Sequence, residues 1–521
     1  MKPIGYTYLN DYYDLLLPKL GVEVYQDPNS EKEKLVDYGA GKRRILPGHL
    51  KYLDEPFFQM HSAIKYQGIR LHFFSAIFNK IDVSSLTNFI SEQPNSQYNR
   101  VLWFLYEWLT GQKLNLPNLK SGNYIRLLDD NYYYTLKEGV RDARTRIVNN
   151  LLGTPKFCPT IRKTKEILEL AKVDVYKTAY SKMQAIGDYL SVDLIGRSVN
   201  YLYTKETKSS TEIEKEQPDK QRMQRFLNAI KNVGLYELSK SSLIKVQNQI
   251  VADTAKALDY RTSEIYVGTT IRRFGFHDED VYYVGAKQKQ VESMMDGLFK
   301  LHDNLMLDGT IPPLMHATLI SFGKVYIHPF EDGNGRLHRY LIHDVMKQRE
   351  PKHRFIIPIS AAILKNTKRY DEVLEVVSRP IMAMLDYEFD SQNKLIVKND
   401  IDYMYRYPDY TEHVKFIYEM MNAAISDELI KEVCLLIVFD GLKKLVNKNV
   451  DLPNQKIDLL LSILISNQGK VSKRKRELFE KDLPESLIEE LEITAKKLIG
   501  DMRKQFNIDL AQMMTSTQNT P

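Results

Sequence analysis

The sequence predicts a mainly α fold: a helical core with one small β-hairpin, flanked by helical segments on both sides. Three observations carry this. Apolar residues recur at helical spacing on both sides of residues 328–339, with Leu314, Ala317, Ile320 and Val325 before the run and Leu337, Leu341 and Val345 after it. Strongly apolar helical runs also occur near both ends, at residues 101–109 and at Leu459, Leu460, Ile463 and Leu464. Two short runs rich in β-branched and aromatic residues, 261–268 and 281–285, read as strands, with Gly275 between them to turn the chain.

Composition narrows the class. A chain of 521 residues has room for two or three domains, and 43% hydrophobic residues can build their cores. A net charge of +6 over that length is too weak to demand nucleic acid. The two cysteines, Cys158 and Cys434, offer neither a disulfide framework nor a zinc spacing. No apolar signal region opens the chain and no run is long enough to span a membrane, so a cytoplasmic protein with no membrane partner is expected.

Residues 1–150 are expected to form an N-terminal helical domain. Its run 101–109 stops at Gly111 and holds both tryptophans, which reads as core. Residues 155–396 are assigned to the central domain, which holds the densest motif of the chain. Residues 400–521 are expected to form a C-terminal helical domain. There a helix, the turn 467–469 and the basic run 470–476 raise the possibility of a winged-helix module. The acidic run 485–492 dilutes that positive field and favours a structural or protein-docking role over nucleic acid.

The motif is His328-Pro329-Phe330-Glu331-Asp332-Gly333-Asn334-Gly335-Arg336-Leu337-His338-Arg339. An imidazole, a hard oxygen ligand, a glycine turn and two guanidiniums lie within it. His328 can accept a proton near neutral pH. Asp332 suits a divalent cation, and Gly333-Asn334-Gly335 can turn backbone N–H groups inward as an anion nest. The glycines fall at a helix start, where free N–H groups and the dipole favour an anion. Arg336 and Arg339 are three apart and point the same way. The inventory suits a nucleotide phosphate with a base beside it.

This run resembles the signature of the Fic family, His-Pro-Phe-x-(Asp/Glu)-Gly-Asn-Gly-Arg-x-x-Arg, with every fixed position filled. The resemblance implies a protein adenylyltransferase that moves AMP from ATP to a Ser, Thr or Tyr hydroxyl of a target protein. It implies His328 as general base, Asp332 as Mg²⁺ ligand, and Gly333, Asn334 and Gly335 as anion hole. Arg336 and Arg339 would hold the β- and γ-phosphates. Related kinases carry lysine at the second glycine, so Gly335 favours nucleotidyl transfer. The hairpin, at about 262–285, would be the target-docking flap, through Ile265, Tyr266, Val267, Tyr282 and Tyr283. A hairpin that touches no substrate is the competing reading.

Upstream, Ser210 and Glu214 fit the family's inhibitory motif, (Ser/Thr)-x-x-x-Glu-(Gly/Asn), on a helix at about 196–216. There the glutamate pairs with the second arginine, here Arg339. Lys215 departs from the pattern, because Lys takes the left-handed conformation less easily than Gly or Asn. Tyr370 resembles a helix tyrosine that closes many Fic cores; a place in the nucleoside pocket and plain packing are both open. Other activities remain as alternatives: removal of AMP by the same pocket, or a nucleotide-sensing, DNA-associated regulator. Dimers are frequent in the family, which makes a homodimer an allowed assembly.

Overall fold

The structure is a computed structural model that describes residues 1–37, 39, 41–50, 53–186, 192–273 and 276–511. Helix makes up 56% of it, beside a few small sheets, as the periodicity predicts. Among the described residues no helix is long and apolar enough to cross a membrane. Both cysteines are free and buried.

The three consecutive domains expected from the sequence are not how the chain divides. Met1–Ala171, Asn232–Glu350 and Lys368–Ile417 form one compact unit; Lys172–Lys231, Pro351–Thr367 and the chain from Tyr418 onward form another. The reason is a choice of packing partner. The long helix Val192–Ile213 packs against Ile359–Lys365 and Ile430–Asn449, far along the chain, as well as against the next helix, Lys220–Lys231. Periodicity shows that a helix has an apolar face, but not what covers it.

In the first unit, the N-terminal segment is not purely helical. Lys2–Ile4, Val22–Asp27, Lys42–Pro47 and Lys34–Asp37 form a four-stranded sheet in that order. Its central pair is parallel, with Val24 opposite Arg44, and the outer pairs are antiparallel. Ile4, Val24 and Leu46 form its buried core. A second small sheet joins Ile125–Arg126, Ile147–Asn149 and Val140–Asp142. These strands have two to six residues, too short to stand out in a window long enough to detect a helix. The expected apolar helix is Gln97–Thr110, ended by Gly111 in the left-handed conformation. Trp103 is fully buried there, and its indole N–H donates to Glu107 at 2.6 Å.

The first unit also builds the scaffold for the motif. Pro313–Ile327 and Asn334–Arg349 are packed helices joined by the loop 328–333. Gln288–Asp308 packs on the first of them. The backbones come close because Gly297 and Gly323 leave room for Phe157. A Cβ on Gly323 would sit 2.7 Å from both Leu298 Cδ1 and Phe157 Cζ, and one on Gly297 would sit 2.6 Å from Phe157 N.

In the second unit, the π-helical turn Ala424–Leu429 leads into Ile430–Asn449, which packs against Glu485–Phe506; Asn454–Ser466 completes the bundle. Among the described residues from 418 onward there is no strand, so the winged-helix reading fails for want of a wing. Lys473–Arg476 is a single helical turn, and Arg476 pairs with Glu485 and, at 2.8 Å, with Glu492. The acidic run neutralises part of the basic one, as the sequence suggested.

Gly323→Leu should overpack the seam around Phe157 and destabilise the fold by about 1–3 kcal/mol. Thermal melting checks this; a melting temperature equal to wild type would show that the seam has slack.

Candidate active site

His328 ends the helix Pro313–Ile327 and takes left-handed dihedrals, φ 57° and ψ 59°. This conformation is uncommon for a residue with a Cβ. It is held by the N–H of His328, which donates to the Lys324 carbonyl at 3.0 Å. On the ring, Nδ1 lies 3.0 Å from the Val325 carbonyl. A carbonyl only accepts, so Nδ1 carries the hydrogen and Nε2 keeps its lone pair. Burial, then the positive charge of Lys324, push the imidazole down to about 3, with Arg261 adding to the effect against the Val325 hydrogen bond. The ring is therefore neutral at physiological pH and can act as a base.

The loop that follows is fixed by polar groups that sequence reasoning missed. Arg261, buried, donates its backbone N–H to the Pro329 carbonyl at 2.9 Å and its Nε to the His328 carbonyl at 2.7 Å. Its remaining nitrogens reach the Ser263 and Ala286 carbonyls. One guanidinium thus ties the loop to both ends of the hairpin. Lys324, fully buried, donates to the Asn334 carbonyl at 3.1 Å and to Asn334 Oδ1 at 2.8 Å. A lone Arg before a strand and a lone Lys in an apolar helix carry no pattern that marks them as loop supports.

Asn334, expected in an anion hole, turns its side chain inward. Its amide donates to the Phe330 carbonyl at 2.6 Å and accepts the Phe330 N–H at 3.3 Å. Its contribution to an anion site is thus its backbone at the helix start, where first-turn N–H groups have no intrahelical acceptor. Gly333 precedes it at φ 85°, and a Cβ there would meet Val251 Cγ1 at 2.7 Å. Gly335 follows in the first turn of Asn334–Arg349. Arg336 and Arg339 are both 1% exposed. Arg336 Nη2 donates to Asp332 Oδ1 at 2.9 Å, and the Gly333 N–H donates to the same oxygen. Glu331 faces elsewhere and accepts from the Ser263 hydroxyl at 2.9 Å. Asp332 is therefore the carboxylate paired with Arg336.

The hairpin is Tyr266–Arg273 paired antiparallel with Phe276–Val284, with a bulge at Val267/Gly268. Gly275 lies outside the described residues. The hairpin base adjoins the motif: a Cβ on Gly285 would come within 3.0 Å of His328 Cβ. The five flap residues divide by strand alternation. Val267 and Tyr282 are exposed, and the Tyr282 hydroxyl lies 2.7 Å from Thr269 Oγ1. Ile265 and Tyr266 are half-buried. Tyr283 points into the core, where its hydroxyl donates to the Tyr326 carbonyl and its ring centre lies 6.3 Å from that of His328. Its side chain supports the site from below instead of facing a target. Tyr370 is buried too, stacked between His338 and Phe416 at 6.2 and 5.8 Å.

Ser210 and Glu214 belong to the second unit. Ser210 is buried in the last turns of Val192–Ile213, and Glu214 is exposed just past its end. Lys215 does take the left-handed conformation, at φ 56°. The N–H groups of Glu214 and Lys215 close the helix onto the carbonyls of Thr211 and Glu212 at 3.1 and 2.9 Å. The helix thus stops where a Gly or Asn would stop it.

Residues 237–346, which contain the hairpin and the loop, match the model of the Fic/DOC family. The chain carries a Fic/DOC domain. Two protein adenylyltransferases named fic-1 are similar to it over 125 residues: that of Caenorhabditis elegans is 30% identical and that of Caenorhabditis briggsae 26% identical. The aligned stretch covers 23% of this chain and only 22% of each relative. Among solved structures, a Fic domain-containing signaling protein of Bacteroides thetaiotaomicron aligns at a TM-score of 0.33 and 16% identity, over 51% of this chain and 96% of that one. A Fic family protein of Desulfovibrio desulfuricans aligns at 0.33 and 15%, over 50% and 73%. The matched Fic domain is narrower than the span 155–396 expected from sequence.

The buried state of the Fic domain histidine has a measurable consequence. In the unfolded chain His328 takes a proton near its ordinary value of 6.5, but in the folded chain only near 3. Acid between those values therefore favours the unfolded state, and the contribution is absent above them. In an NMR titration of the folded protein, the ring signals missing from the spectrum of a His328→Ala variant should stay constant from pH 8 to 5. A midpoint near 6.5 for those signals would show that the ring is not shielded as described.

Proposed function

We propose that this protein is an adenylyltransferase that moves AMP from ATP to a hydroxyl side chain of a target protein. The observation that carries the reading is the neutral imidazole of His328, its Nε2 lone pair fixed by Nδ1, at the head of a complete loop whose arginines are buried at the adjoining helix start. The similarity to two adenylyltransferases over 125 residues supports it. Gly335, where related kinases carry lysine, favours nucleotidyl transfer.

In this reading the target hydroxyl gives its proton to His328 Nε2, its oxygen bonds to the α-phosphorus, and the bond to the β-phosphate oxygen breaks to release pyrophosphate. Arg336 and Arg339 neutralise the β- and γ-phosphates and so stabilise the leaving group. First-turn N–H groups of Asn334–Arg349 bind the same anion. The donor set fits Mg²⁺. Among the described residues no cluster of three or more His, Cys, Asp or Glu could hold a metal by itself, and Asp332 is one hard carboxylate whose hydrogen bonds all fall on Oδ1. A single carboxylate plus phosphate oxygens is a common Mg²⁺ environment, and the ion would add charge neutralisation there. The exposed faces of Val267 and Tyr282 would receive the target backbone beside the hairpin.

His328→Ala should lower transfer from α-labelled ATP by about 10²–10⁴-fold, the usual worth of a general base, while calorimetry still detects ATP binding. Transfer near the wild-type rate would remove His328 from the chemistry.

The proposal includes restraint by Glu214, which the inhibitory motif implies and the left-handed Lys215 supports, because the helix stops at the residue the motif requires. Glu214→Gly should raise the initial rate of labelling at saturating Mg²⁺-ATP. A ratio to wild type near one, with both chains active, would mean that this enzyme is not self-restrained.

A further inference from the structure

The helix that carries Ser210 and ends just before Glu214 is anchored in its own unit by buried charges, an unusual way to hold an amphipathic helix. Lys205 Nζ lies 2.8 Å from Glu428 Oε2 and also pairs with Glu432. Lys365 pairs with the other oxygen of Glu428. Both glutamates are 1% exposed, and Glu428 sits in the π-helical turn Ala424–Leu429. On the next position of the helix, Glu206 is fully buried and accepts the Ser360 N–H at 3.0 Å and the Ser360 hydroxyl.

Apolar contacts alone tolerate a helix that slides or rolls. Buried ion pairs do not, because a misplaced helix leaves charges buried without partners. A slip of one residue would rotate every side chain by about 100°. Glu206 and Ser210 stand four residues apart and so share one stripe of the helix, and Glu214 follows just past its end. Whatever fixes Glu206 therefore fixes the helix end from which the chain continues to Glu214.

We propose that Lys205 and Glu206 are positioning residues for the inhibitory segment: held by Glu428, Glu432 and Ser360, they set the roll and register that let Glu214 act. This rests on the adenylyltransferase reading with Glu214 as its restraint. It assigns the C-terminal bundle a regulatory duty, that of holding the restraint in place.

The test uses the full chain. Lys205→Met, Lys205→Arg and Glu214→Gly are compared with wild type for initial rates of labelling from α-labelled ATP and for amide hydrogen exchange in Val192–Ile213. Lys205→Met should speed exchange in that helix by about tenfold, a loss of local rather than global stability. It should raise labelling toward the rate of Glu214→Gly, with no further gain when the two are combined. Lys205→Arg should keep both readouts at wild type. Faster exchange with an unchanged labelling rate would overturn the proposal, as would unchanged exchange, or rate gains that multiply in the double variant. A Glu214→Gly chain no faster than wild type would overturn the restraint itself and this assignment with it, a result told apart by that variant alone. If Lys205→Met fails to melt cooperatively, Ser360→Ala, which removes one of the donors to Glu206, takes its place with the same expected outcomes.

Discussion

The clasp between Asn334 and Phe330 is the contact on which the motif loop depends. The Asn334 amide satisfies both backbone groups of Phe330, and the buried ammonium of Lys324 holds the Asn334 carbonyl and side-chain oxygen from beneath. Lys324 also lies 5.5 Å from the centre of the Phe330 ring. A buried polar group left unmatched costs about 1–3 kcal/mol, so each group in the clasp penalises any other loop path. The clasp spans the turn that joins Pro313–Ile327 to Asn334–Arg349. It therefore sets where Asn334–Arg349 begins, and with that the places of Arg336 and Arg339.

The clasp also explains the electrostatics of the loop. Lys324, Arg261, Arg336 and Arg339 are all buried around it, whereas Glu331 is exposed and Asp332 half-exposed. Cations inside and carboxylates outside leave the loop positive at its floor. Burial first, and then the charges of Lys324 and Arg261 in this floor, keep the His328 imidazole deprotonated; in the proposed reaction the same floor would receive a polyphosphate. Arg261 adds mechanical coupling, because its hydrogen bonds run from the His328 and Pro329 carbonyls to the hairpin ends. Tyr283 continues the same connection below the hairpin, through the Tyr326 carbonyl.

The second unit uses buried charge for a different end. Its paired lysines and glutamates hold one helix against the C-terminal bundle, where a plain apolar seam would have left register open. The same helix ends at a lysine held in a conformation normally left to glycine. Both features are local departures from the cheapest solution, and both lie on the segment that carries Glu214.

By itself the sequence determined the helical class, the helix that stops at Gly111, the hairpin, and the loop with its histidine, carboxylate and two arginines. Each of these follows from interactions within a few residues, whether helical periodicity, strand alternation or a contiguous motif. The tertiary structure alone decided the rest. Strands of two to six residues in the N-terminal segment gain their identity from partners far along the chain. The interleaving of the units depends on which apolar face meets which, and periodicity is silent on that. Arg261 and Lys324 became loop supports, and Asn334 turned inward, only because burial forces each polar group to find an acceptor or donor nearby. The sequence offered Tyr282 and Tyr283 alike as docking residues; strand alternation sends them to opposite faces, and which of them met the core was fixed by where Tyr326 and His328 lie.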